Sequence, residues 1–276
     1  MQNQAKQPIG VFDSGYGGLT VLKEIVKQLP EYDYIYLGDN ARAPYGTRSF
    51  ETVYEYTLEC VKQLFKMNCE LVIVACNTSS AKALRNIQQK DLPTLAPNKR
   101  VLGVIRPTTE IVGKLSKTGH VGVLGTPGTI TSNSYPIEIA KFYPNITVHQ
   151  EACPQWVPII ENNEIENDAS DNIIQKNLNN LLDQDKNIDT IILGCTHYPL
   201  LINKIKKFLP ANITLLSQGE IVAEGLVDYL KRHPEMEQKC TKENSIEFYT
   251  TGSIENFDKA ASLFYGKDVK SKHLQL

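Results

Sequence analysis

Long hydrophobic runs are missing from this sequence. Its longest apolar stretches, such as Leu71–Cys76 and Thr190–Cys195, fall far short of the ~20 residues that a membrane-spanning helix needs. The first ten residues hold no apolar core and no small-residue cleavage site, so no secretion signal is read and a cytoplasmic location is expected. A surplus of charge is missing too. Twenty-nine Lys and Arg stand against 31 Asp and Glu, a net charge of -2, which leaves no positive field to hold a phosphate backbone or an anionic bilayer. Neither nucleic acid nor membrane is an expected partner. The six cysteines, Cys60, Cys69, Cys76, Cys153, Cys195 and Cys240, form no CxxC pair and no dense framework. In a reducing compartment that pattern means free thiols, and it ranks a dithiol redox protein last among the candidate functions.

What is present is 276 residues of ordinary globular composition, enough for about two domains. Short β-branched runs alternate with segments of helical period. Strands are expected at Ile9–Phe12, Tyr34–Leu37, Leu71–Ala75, Val101–Ile105, Val121–Leu124, Ile146–His149, Thr190–Leu193, Ile213–Leu216 and Ile246–Tyr249. Apolar residues recur at three and four over Leu19–Gln28, Phe50–Lys66, Ser79–Gln89, Thr108–Leu115, Asp171–Asp183, Leu200–Phe208 and Gly219–Lys231. This alternation predicts an α/β protein with parallel sheets covered by helices. Nine strands are many for one sequential sheet, so two α/β lobes are expected. The proline-bearing stretches Asp91–Arg100 and Leu209–Asn212 read as the crossings between them. Residues 1–98 and 211–276 then form a discontinuous first lobe and residues 99–210 a second.

Ligands of open α/β sheets sit beyond the carboxyl ends of the strands, where loops and helix N-termini converge. The first expected strand runs into Asp13-Ser14-Gly15-Tyr16-Gly17-Gly18, and the third into Cys76-Asn77-Thr78-Ser79-Ser80. Val121–Leu124 runs into Gly125-Thr126-Pro127-Gly128-Thr129, and Thr190–Leu193 into Gly194-Cys195-Thr196-His197-Tyr198-Pro199. Two of these corners carry a cysteine at the same structural point, so the two halves echo each other. Backbone N–H groups at a helix start favour thiolate over thiol, and a thiol of pKa about 8.5 is already a few per cent ionised at neutral pH. Cys76 and Cys195 are therefore candidate bases, whereas Cys60, Cys69, Cys153 and Cys240 read as small buried hydrophobes.

His197 stands two residues after Cys195, in place to orient that thiol or to act on a substrate group. A zinc site of Cys76, Cys195 and His197 lacks a second close pair to complete it. The glycines after Asp13 match neither GxGxxG nor GxxxxGKS, and Asp13 would repel a phosphate; a carboxylate that relays a proton or meets a cationic group fits better. Ser14 is no hydrolase elbow, because Phe12 stands where GxSxG needs glycine. The turn Arg42-Ala43-Pro44-Tyr45-Gly46 carries an aromatic hydroxyl at its tip. Glu151 and Glu161 are both candidate site carboxylates, and the residues alone do not choose between them.

Taken together, FDSGYGGLTV, APYG, VIVACNTSSA, VGVLGTPGTITSNSY and ILGCTHYPLL, in this order over residues 11–202, with FYTTGS near the C-terminus, resemble the glutamate racemases, cofactor-independent enzymes that feed D-glutamate to peptidoglycan. The resemblance implies two pseudo-symmetric α/β lobes with the site in the cleft between them. It implies Cys76 and Cys195 as the catalytic thiols, with Asp13 and His197 assisting. It implies substrate contacts at Ser14, Pro44, Tyr45, Gly46, Asn77, Thr78 and Thr196, a threonine pair, Thr126 and Thr129, on the substrate carboxylate, and Glu161 rather than Glu151 as the family glutamate after VPIIE. No metal and no cofactor are implied; the partner is a small amino acid, and a homodimer is the assembly that dimeric relatives suggest. The sequence departs from its relatives at Pro107-Thr108-Thr109, often Pro-Gly-Ala, and at Ser217-Gln218-Gly219, often Asp-Ser-Gly.

Racemisation needs a base on one face of Cα and an acid on the other, which two thiols on opposite lobes would supply. For L to D, Cys195 removes the proton and Cys76 returns one; donors at Asn77, Thr78, Thr196 and nearby amides stabilise the carbanion in a dry cleft. The rival readings are a racemase of aspartate or another acidic amino acid, and a non-catalytic amino-acid-binding module.

Overall fold

The computed structural model describes residues 6–276. Ten strands alternate with helices: β1 (Ile9–Asp13), β2 (Tyr34–Gly38), β3 (Leu71–Val74), β4 (Arg100–Gly103), β5 (His120–Gly125), β6 (Thr147–Ala152), β7 (Thr190–Gly194), β8 (Thr214–Leu216), β9 (Ile246–Thr250) and β10 (Ser271–His273). They form two sheets, β10-β9-β2-β1-β3-β4 and β6-β5-β7-β8, and every pairing is parallel. The expected two-lobed α/β architecture is thus the observed one. The order β2-β1-β3-β4 repeats as β6-β5-β7-β8, so the lobes share a four-stranded unit that the first lobe extends with β9 and β10.

Burial on both faces explains the unbroken apolar strands. In β1, Ile9 and Val11 belong to the apolar cluster that reaches across to the second sheet, whereas Phe12 points to the other face among Val53, Cys60 and Leu64. Those three lie on helix Phe50–Lys66, which Ser49 caps by accepting from Thr52 N at 3.1 Å. On the second lobe, helix Asp168–Gln184 buries Ile174, Leu178 and Leu181, the apolar stripe expected there.

The lobe boundaries differ from the expected ones. Arg100–Gly103 pairs with β3, and so belongs to the first sheet; Thr214–Leu216 pairs with β7, and so belongs to the second. The chain crosses at Val104 and at Ser217, not within Asp91–Arg100 or Leu209–Asn212. Both proline-bearing stretches are ordinary helix-to-strand returns inside one lobe, and a return has the same turn composition as a crossing. Further segments are regular though unassigned from the sequence, among them helices Pro127–Thr131, Ser134–Phe142, Trp156–Glu161 and Ile254–Tyr265, and strand β10.

Candidate active site

In each sheet the direction of strand addition reverses beside the first strand, between β1 and β3 and between β5 and β7. These are the switch points where an open α/β sheet leaves a crevice. Asp13 ends β1 and Cys76 follows β3; Thr126 follows β5 and Cys195 follows β7. Both crevices therefore contribute to one site, each with a cysteine in the equivalent position.

Hydrogen bonds cross between the lobes around it. Gly128 N donates to Gly46 O at 2.8 Å, Thr78 Oγ1 and Thr126 Oγ1 lie 2.9 Å apart, and Thr20 Oγ1 donates to Thr196 O at 2.9 Å. The lobes are closed on each other: Asp13, Cys76, Asn77, Thr78, Thr126, Thr129, Cys195, Thr196 and His197 are all buried. Exclusion of bulk water strengthens every electrostatic interaction among them. A separate cavity of about 950 Å³, bounded by Leu84, Arg85, Arg106, Glu110, Tyr229 and Arg232, contains none of the expected site residues.

The two thiols have different neighbours. Cys76 caps helix Asn77–Lys82, its sulfur accepting from Ser79 N at 3.5 Å, and Ser14 Oγ lies 3.4 Å away. Burial, and then the nearby Asp13, push this thiol up to about 11, against the opposing pull of Ser14 and Ser79. Cys76 is a thiol at neutral pH. Cys195 Sγ lies 3.9 Å from His197 Nδ1, and His197 Nε2 lies 2.9 Å from Glu161 Oε1. Burial disfavours charge on His197, but Cys195 and Glu161 outweigh it and raise its pKa to about 10. His197 is then an imidazolium, wedged between a sulfur and a carboxylate.

Asp13 lies beneath both corners. Its Oδ1 accepts from Gly15 N at 2.9 Å and its Oδ2 from Thr196 Oγ1 at 3.4 Å. Burial raises its pKa, while His197, the N–H groups of Gly15 and Gly18 and the Thr196 hydroxyl act against that. This is the setting of a carboxyl group that can exchange a proton. Thr126 Oγ1 stands between Thr78 Oγ1 and Thr129 Oγ1, 3.2 Å from the latter, which makes a row of hydroxyls from both lobes.

Of the two glutamates, Glu161 reaches the site, at its rim. Glu151 is held elsewhere, accepting from Asn177 Nδ2 at 2.8 Å and Asn180 Nδ2 at 3.0 Å. Two expected contacts need correction. The Tyr45 hydroxyl is not at a turn tip: the ring is buried, and the hydroxyl donates to Asp39, whose other partners are Arg42 and Thr251. It is the Gly46 carbonyl that faces the other lobe, while Pro44 is exposed. The Asn77 amide is likewise committed within the protein, donating to Gln218 Oε1 at 2.7 Å and accepting from the Tyr135 hydroxyl at 2.8 Å. What helix Asn77–Lys82 can offer a ligand is the N–H groups of Asn77 and Thr78, because Ser79 N donates to Cys76 Sγ and Ser80 N to Cys76 O.

Gln218 and Tyr135 were not among the expected residues. Gln218 Nε2 lies 3.1 Å from Val104 O, 3.1 Å from Thr108 Oγ1 and 2.7 Å from Tyr135 Oη. Both crossings and the Cys76 helix meet at this one amide. The two departures from the family pattern, at Thr108 and at Gln218, touch each other. Both stand out in the sequence as departures; their contact does not.

Comparisons with known proteins agree with this geometry. The profile of the Asp/Glu/Hydantoin racemase family matches residues 9–224. The chain is 42% identical over 282 residues to a glutamate racemase of Enterococcus faecalis, covering 100% of this chain and 98% of that one. The crystal structure of a glutamate racemase isoform from Bacillus anthracis superposes with a TM-score of 0.89 at 36% identity, covering 99% of both chains. That of the Francisella tularensis glutamate racemase in complex with D-glutamate gives 0.86 at 33%, covering 99% of this chain and 98% of that one.

Proposed function

Because this chain belongs to the Asp/Glu/Hydantoin racemase family, we propose that it interconverts L- and D-glutamate by a two-thiol mechanism. The observation that carries the reading is the pair of equivalent strand-end cysteines with different neighbours: Cys76 beside Ser14, Cys195 beside the His197–Glu161 pair.

In the L to D direction Cys195, whose sulfur lies 3.9 Å from His197 Nδ1, takes the Cα proton, and the Cys76 thiol delivers one to the opposite face. In the reverse direction the roles exchange. Asp13 and His197 assist the two thiols, Asp13 as a buried carboxyl group bonded to Thr196 and His197 as the positive charge 3.9 Å from Cys195. Removing a proton from Cα places charge on the substrate carboxylate. The hydroxyls of Thr78, Thr126 and Thr129, with the N–H groups of Asn77 and Thr78, are the donors proposed to receive it. Acid and base are both side chains of this chain, and no cofactor enters the scheme. The proposed role is supply of D-glutamate for peptidoglycan, in the cytoplasm; among the described residues no helix is long and apolar enough to cross a membrane.

The test is racemisation of L-glutamate and of L-aspartate followed by circular dichroism, with uptake of solvent deuterium at Cα. Loss of ellipticity on glutamate well ahead of aspartate is expected. Cys76→Ala and Cys195→Ala should each abolish racemisation, and full turnover by either variant would reject the two-thiol scheme.

A further inference from the structure

Three potential metal ligands meet at the opposite end of the second sheet from the cysteine corners. His120 opens β5. His149 lies on β6, and the register pairs His120 with Thr147 and Gly122 with His149. The two histidines therefore project from one face of adjacent strands, one pleat apart. Their rings stack at 5.9 Å between centroids, 16° from parallel. Asp185, immediately after helix Asp168–Gln184, caps the same face. His120 Nδ1 is 2.8 Å and His149 Nε2 is 3.4 Å from Asp185 Oδ2, and the three atoms all lie within 4.8 Å of one another.

These approaches are not hydrogen bonds. Both ring nitrogens are buried polar atoms without a hydrogen-bond partner, so they lie close to the carboxylate without aiming an N–H at it. Donor atoms that converge on a shared point rather than on each other are what a coordination site requires. Ligands about 2.0–2.1 Å from a tetrahedral ion stand about 3.3 Å apart, and the 2.8 and 3.4 Å from the two imidazoles to Asp185 Oδ2 bracket that value. Asp185 is held for the purpose by its other oxygen: Oδ1 accepts from Asn187 N at 2.8 Å and Nδ2 at 2.9 Å, which leaves Oδ2 turned to the imidazoles. The three side chains keep 15–28% of their surface exposed, enough for an ion to enter.

We propose that His120, His149 and Asp185 bind one divalent transition-metal ion of the zinc class. Two imidazoles and one carboxylate suit such an ion better than calcium or magnesium, which take mainly oxygen ligands. The ion would clip β5, β6 and the end of helix Asp168–Gln184 together, about 20 Å along β5 from the Thr126 corner. It would brace the second lobe and take no part in the chemistry at the cysteines.

Cobalt(II) titration of the full, reduced chain tests this. One equivalent should give the d–d absorption of a nitrogen and oxygen ligand set, without a thiolate-to-metal charge-transfer band. His149→Gln and Asp185→Asn should each weaken cobalt binding at least tenfold while leaving metal-free racemisation unchanged; His120→Gln replaces either that fails to fold. Zinc(II) at a hundredfold excess over its Kd should raise the thermal midpoint of the unsubstituted protein by about 5 °C, and should not do so in His149→Gln. Absence of the d–d bands, a spectrum dominated by thiolate charge transfer, or undiminished affinity in both variants would overturn the proposal.

Discussion

Gly17→Ala is a one-methyl probe of how precisely His197 and Thr196 must sit. A Cβ at position 17 would lie 2.2 Å from Thr196 Oγ1, 2.4 Å from His197 Nδ1 and 2.7 Å from His197 Cε1. Ordinary contact begins near 3.4 Å, so both side chains must retreat by about 1 Å, and a displacement of that size costs about 10²-fold in rate. Neither residue has room to yield cheaply: His197 is wedged between Cys195 and Glu161 with its ring edge-on to Phe264, and Thr196 bonds Asp13. The neighbouring Gly15→Ala is the control, because its Cβ would meet only Asn40 at 3.7 Å and Glu161 at 3.9 Å. Circular dichroism kinetics on L-glutamate should show kcat down about 10²-fold in Gly17→Ala and within a few-fold of native in Gly15→Ala. A Gly17→Ala enzyme with native kcat would refute the claim that His197 and Thr196 are held against the reacting atoms.

Gln218→Ala strands the buried Asn77 amide and the Tyr135 hydroxyl, and should cost about 1–3 kcal/mol of unfolding free energy, measured by urea titration, with kcat falling as well; a neutral effect on both would remove Gln218 from the account. His197 has a folded pKa raised to about 10 from the ordinary 6.5. Its stabilisation is therefore complete below about pH 6.5 and lost as pH rises through about 10, so the urea midpoint should decline over that window in the native protein and more weakly in His197→Gln. Asp189 has the opposite sign. Burial raises its pKa, but donation by Ser116, Thr118 N, Lys117 N and Thr190 wins and lowers it to about 2, so its contribution holds above about pH 4 and disappears as pH falls through about 2. Asp189→Asn should flatten that acid limb in the same titration.

Much of the architecture was legible because parallel strands buried on both faces leave unbroken apolar runs. Helices Leu19–Gln28 and Phe50–Lys66 have the bounds expected from their apolar period to the residue. β10 was not legible, since Ser271-Lys272-His273 is a polar edge strand that only its pairing with β9 defines. Helix Ile254–Tyr265 had a signal that went unread, with Ser253 as cap, Phe257, Ala261 and Phe264 as stripe and Gly266 at φ 79° as stop. At the site, strand-end position singled out Cys76, Cys195, Asp13 and His197. Side-chain direction was beyond reach: nothing in APYG says that the Tyr45 hydroxyl turns inward to Asp39, and nothing in CNTSS says that the Asn77 amide is spent on Gln218.

The repeat of β2-β1-β3-β4 as β6-β5-β7-β8 places both thiols on equivalent backbone, yet their surroundings are unequal: a serine and the push of Asp13 at Cys76, an imidazolium with a glutamate behind it at Cys195. For the proposed reaction this inequality has a strict bound. Substrate and product are mirror images of equal free energy, so kcat/KM must be the same in both directions however different the two thiols are. The inequality can appear only as a compensating split between kcat and KM, because whichever enzyme form holds its proton more stably binds one enantiomer more tightly and releases it more slowly. Removing the Glu161 carboxylate weakens the charge on His197 and so brings the two corners closer to equality. Glu161→Gln should therefore draw the two KM values together while lowering both kcat/KM values by one common factor.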